Sequence, residues 1–73
     1  MINTTEILED IYDSTASAFT DGYDTEMILL TQEVYDAFKK EQGNKDFNRL
    51  LVYPVEINNE VNDYKILVKE LEW

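Results

Sequence analysis

"LLVYPVEINNEVNDYKILVKELEW", Leu50 to Trp73, decides how the sheet is read. Leu51, Tyr53, Val55 and Ile57 alternate with Leu50, Val52, Pro54 and Glu56; further on, Tyr64, Ile66 and Val68 alternate with Lys65, Leu67 and Lys69. That period of two belongs to strands. "NNEVND" between the two runs is rich in turn formers, so the stretch predicts a two-stranded hairpin. The connection is longer than a two-residue turn and leaves the register open. Pro54 has no N–H to give a ladder, so its strand is expected to be an edge there, or to carry a bulge.

Working back from this stretch, "QEVYDAFKKEQG" reads as a helix. Thr31 stands at its N-cap, Leu30 and Tyr35 can staple its entrance, and Gly43 fits the left-handed position that ends it. Val34, Tyr35, Ala37 and Phe38 make its apolar face, and Phe47 in the polar connection beyond it is expected to tuck under the sheet. "MILL", Met27 to Leu30, is an apolar run too short for a helix and suited to a buried strand. "TDGYDTE" before it reads as a loop, with Asp21-Gly22 as the turn signal. The first helix opens on Asn3, with Glu6 three residues later as a capping box asks, and carries Ile7, Leu8, Ile11 and Tyr12 toward an end near Phe19. The order is α-β-α-β-β. It predicts a single α+β domain over residues 1–73, with two helices packed on one face of a small, mainly antiparallel sheet.

Composition narrows the chemistry. The chain has 73 residues with no Cys and no His, which excludes disulfides and the usual zinc sites. It also removes the common nucleophile and base pairs, so no enzyme activity and no cofactor are expected. The two acidic loops lack the alternating ligand spacing of a calcium site. The first apolar cluster is too short to span a membrane and lacks a basic flank, so neither a signal peptide nor a transmembrane segment is expected. The absence of Cys fits a reducing cytoplasm.

Charge is distributed unevenly. Sixteen acids against six bases give a net charge of −10. Met1 to Phe38 holds nine acids and no base; Lys39 to Trp73 holds seven acids and six bases. The first half would repel phosphate backbones, so direct nucleic-acid binding is not expected, whereas a basic protein surface would be attracted. Glu6, Glu9, Asp10 and Asp13 on the first helix, extended by Asp21, Asp24 and Glu26, form the candidate acidic partner surface. The same charges also serve solubility. Nine aromatics are more than so small a core needs, and Tyr and Trp often anchor interfaces. Tyr53, Tyr64 and Trp73 are therefore the candidate subunit contact.

"MILLTQEVYDAFKKEQG" followed by "LLVYPVEINNEVNDYKILV" resembles a pattern in short phage and prophage proteins, in which a strand–Ser/Thr–helix unit precedes a Pro-Val strand, an Asn/Asp turn and a closing strand. The match covers Met27 to Val68, and Val52 stands where that pattern often has glycine. The resemblance implies an origin among tiny acidic proteins that bind and modulate host or defence proteins, and it carries over no functional residue. The expected function is a small, non-enzymatic, homodimeric interaction module of phage or prophage type, acting in the host cytoplasm. The alternatives are an acidic nucleic-acid mimic that inhibits a DNA- or RNA-binding enzyme, and a minor virion component.

Overall fold

A computed structural model describes residues 2–71. Its elements are α1 (Thr4–Thr20), β1 (Tyr23–Leu30), α2 (Gln32–Glu41), β2 (Arg49–Leu50), β3 (Tyr53–Ile57) and β4 (Tyr64–Glu70). The fold is α+β, with two helices and one four-stranded mixed sheet. Two of its three pairings are antiparallel, and β1 pairs in parallel with β3.

Local signals set the helices. The Asn3 side chain accepts the Glu6 N–H at 3.1 Å and caps α1; the Thr31 hydroxyl accepts the Val34 N–H at 3.2 Å and caps α2. Gly43, at φ +75°, and Asn44, at φ +64°, turn the chain out of α2. Ile7 and Ile11 of α1 meet Val34 and Phe38 of α2 over Ile28, Leu30 and Leu50 in one buried cluster. Ile28 and Leu30 are two residues apart on β1 and share a face, so both helices lie on that face. Phe47 closes the end of this core against α2, its ring stacked on Tyr35 at 4.5 Å and edge-on to Phe38 at 6.3 Å. The Tyr35 hydroxyl donates to the Phe47 carbonyl at 3.1 Å and accepts its N–H at 3.3 Å. Phe47 thus tucks against the second helix.

The expected hairpin of residues 50–71 does not form. Strand order is β2-β3-β1-β4, so β1 lies between the two strands that the sequence would pair. Ile28 faces Val55 on one side and Ile66 on the other. The connection Asn58–Asp63 steps over the end of β1, a span of two inter-strand spacings, about 10 Å. A two-residue turn cannot reach that far, which is why six residues stand here. The crossing is tied down: Asn58 N–H donates to the Leu30 carbonyl at 2.8 Å, Thr31 N–H to the Asp63 carbonyl at 3.1 Å, and Gln32 N–H to the Asn59 side chain at 2.8 Å.

Two further boundaries differ from the expectation. The strand expected over Leu50–Ile57 is broken at Leu51 and Val52, which both take positive φ, +51° and +67°, and fold β2 back on β3. Pro54 costs no ladder bond: it faces Arg49 across β2, and the β1–β3 register begins only at Val55. At the other end, "YDTE" is not loop but the first half of β1, with a bulge between Thr25 and Met27.

Candidate interaction surfaces

The acidic residues divide. Glu6, Glu9, Asp10 and Asp13 are all exposed on α1, on the side away from the buried stripe of Thr4, Ile7, Ile11 and Thr15. Spacings of three and four residues place them along one helical flank. Glu6 and Asp10 continue into a cleft shared with Glu33 of α2 and Asp63 of the β3–β4 connection, so four carboxylates line one depression. The three remaining acids do not extend this flank. Asp21 is the C-cap of α1. Asp24 and Glu26 belong to β1, not to the expected loop. Asp24 sits opposite Lys69 on the sheet face that the helices leave open, and Glu26 is exposed at the bulge. The continuous seven-residue acidic surface is thereby corrected to a four-residue helix flank, because strand alternation sends Asp24 to the other side of the molecule.

Tyr53 and Tyr64 are half-buried against the core cluster. The Tyr64 hydroxyl lies 3.3 Å from that of Ser14 on α1, which fastens the start of β4 to the helix layer. Trp73 lies outside the described residues. Among the described residues the most exposed rings are Tyr12, expected on the apolar side of the first helix, and Phe19 near that helix's end, each 62% exposed, with Tyr23 beside the turn. Tyr12 and Phe19 are seven residues apart and therefore on one side of α1, flanking its buried stripe. The signal was available, since at about 3.6 residues per turn both sit nearly a third of a turn off the line through Ile7 and Ile11.

Charge on the open sheet face has the opposite character. By strand register, Arg49, Lys65 and Lys69 share it with Asp24 and Glu56, around Met27, Leu29 and Leu67. Leu29 is only 8% exposed, with Glu56 and Lys65 as its ladder neighbours on either side. The connection Asn58–Asp63 and Lys65 border a shallow depression of about 450 Å³ at that end.

The two sheet edges differ in what they offer a partner. On one side, β2 and the Asn48 carbonyl, which accepts the Val55 N–H at 3.0 Å, cover β3 as far as Val55. On the other, among the described residues β4 pairs with β1 alone. Thr31 N–H donates to the Asp63 carbonyl, and Leu71 N–H donates to the Gly22 carbonyl at 2.9 Å. These bonds at its two ends put the odd-numbered residues of β4 in hydrogen-bonding positions toward β1. Alternation then turns the backbone groups of Ile66, Val68 and Glu70 outward. This edge was not singled out from sequence, since the predicted hairpin would have paired one side of it with β3.

Among the described residues no group of three or more His, Cys, Asp or Glu is placed to hold a metal ion, and no helix is long and apolar enough to cross a membrane. Among the described residues Lys39 pairs with Asp46 at 2.9 Å on the surface; the hydrogen bond and the charge of Asp46 raise the Lys39 pKa above its ordinary value. No protein-family model, no curated protein and no solved structure matches this chain.

Proposed function

We propose that the chain is a small, acidic, non-enzymatic protein-interaction module that works as a homodimer, of the kind phage and prophage genomes encode, in the cytoplasm of the host cell. The observation that carries this reading is the outer edge of β4, a seven-residue strand with no neighbour on that side among the described residues, in a molecule with two strongly exposed aromatic rings on α1. Free strand edges and exposed rings are the features through which small domains recognise other chains. The lack of His and Cys supports a binding role over a catalytic one. Sedimentation equilibrium tests the homodimer. The expected result is a mass approaching twice that of one chain at micromolar concentration, and a single-chain mass at several hundred micromolar removes it.

A second reading is favoured by the α1 flank. Glu6, Glu9, Asp10 and Asp13 are exposed with no base on their helix, as a mimic of nucleic-acid phosphates would need. If a DNA- or RNA-binding enzyme is the target, reversing Glu9, Asp10 and Asp13 together to Lys should abolish its binding, and unchanged binding contradicts the mimic.

A further inference from the structure

We infer that the second copy pairs along β4, antiparallel and centred on Ile66, to make one continuous eight-stranded sheet; this rests on the homodimer proposed above and names its surface and register. Three observations lead there. First, the two edges are unequal: the far edge is closed over by a two-residue strand, whereas the backbone groups that β4 turns outward at Ile66, Val68 and Glu70 have no partner among the described residues. Second, the outward residues all have even numbers. A two-fold axis requires each residue to face another of the same outward class, and two copies of β4 meet this condition whenever the paired residue numbers sum to an even value.

Third, the side chains discriminate among the registers that remain. Centring on Leu67 sets Lys65 directly opposite Lys69 of the second copy, twice, and like charges directly opposite destabilise a ladder. Centring on Val68 sets Ile66, packed against the core, opposite Glu70. Centring on Ile66 sets Ile66 opposite Ile66 and Tyr64 opposite Val68 on the helix side, with Lys65 opposite Leu67 on the open side. Apolar residues then meet apolar ones, an aromatic meets a β-branched residue, and no like charges face each other. The backbone contributes Ile66 N–H to the Ile66 carbonyl of the second copy and Val68 N–H to its Tyr64 carbonyl, each in both directions. The Tyr64 N–H is already engaged by the Asn62 carbonyl at 2.6 Å. The new ladder would also extend the partly exposed row of Tyr64, Ile66 and Val68 across the interface.

Because the chain has no cysteine, single cysteines read the register directly. In the Ile66-centred pairing residues 65 and 67 of opposite copies form a close, non-hydrogen-bonded pair, with Cα atoms about 4.5 Å apart, within disulfide reach. The two copies of residue 67 are diagonal neighbours about 7–8 Å apart, a poor disulfide geometry. Lys65→Cys and Leu67→Cys proteins are prepared separately, then mixed and oxidised under mild conditions, with the wild-type mass measured by sedimentation alongside. The expected product is the mixed 65–67 disulfide dimer, at least tenfold in excess over either self-linked dimer. A dominant 67–67 product overturns the register. No cross-linked product from a wild type that sediments as a dimer overturns the β4 edge and leaves the homodimer standing. A wild type that remains a single chain overturns both.

Discussion

At one edge of the sheet β2 contributes only Arg49 and Leu50, yet Leu50 is part of the core; at the other, β4 contributes seven residues and leaves the outward backbone groups of Ile66, Val68 and Glu70 without a partner among the described residues. The first edge is short and closed by a turn that its residues do not favour. The second is long and regular, and the charges it carries are Lys65, Lys69 and Glu70. Natural sheets blunt the edges they do not use by shortness, charge or bulges. Here the bulge lies in interior β1, between Thr25 and Met27, and β4 itself is continuous. The difference teaches that a short edge can belong to the core while a long one belongs to the surface, and that edge length alone is a poor guide to what stabilises the monomer.

The largest expected effect tests the short edge. Leu50→Ala removes a side chain that is 8% exposed and buried among Ile28, Leu30 and Phe38, and should cost about 2–4 kcal/mol in denaturant unfolding. A loss below about 1 kcal/mol would mean that β2 is not anchored as described. Next comes Val68→Pro on the long edge. The Val68 N–H points outward, so proline removes no intramolecular ladder bond. Self-association should weaken at least tenfold, about 1.4 kcal/mol, with the circular dichroism spectrum retained. Undiminished self-association in a folded Val68→Pro protein would show that the edge is not used.

Thr25 faces Val68 across the β1–β4 ladder, and its hydroxyl is buried with no hydrogen-bond partner among the described residues. Thr25→Val keeps the strand-favouring branch and removes an unsatisfied group, so the monomer should gain about 1 kcal/mol. A loss of stability would mean that the hydroxyl has a partner. The smallest effect is at the closed edge. Val52 is β-branched, 79% exposed, and held at φ +67°. A left-handed backbone costs a residue with a Cβ about 1–2 kcal/mol, and glycine gives back about 0.5–1 kcal/mol in chain entropy. Val52→Gly should therefore raise stability by about 0.5–1 kcal/mol with self-association unchanged, as a thermal melt and sedimentation will show.

Features coded locally were legible in the sequence. Asn3, Thr31 and Gly43 set helix ends through bonds to near neighbours, and "MILL" announced a strand buried on both sides, as an inner strand must be. Strand pairing was not legible, because "NNEVND" satisfies turn chemistry whether it closes a hairpin or bridges over β1. The Leu51-Val52 turn carries no turn residue at all, so nothing local marked it. For the surfaces, helical spacing was enough to collect Glu6, Glu9, Asp10 and Asp13. The placement of Asp24 and of the free β4 edge depended on which strand lies in the middle, a fact held only in long-range contacts.

Pairing along β4 would engage its outer amides, and amide hydrogen exchange followed residue by residue over a range of protein concentrations reads them directly. Lys65 and Leu67 N–H groups face β1 and should be protected throughout. Ile66 and Val68 should exchange rapidly when dilute and become protected as the concentration passes through the range where the sedimented mass doubles. Ile66 and Val68 amides that exchange at one unchanging rate across that range would contradict pairing along β4.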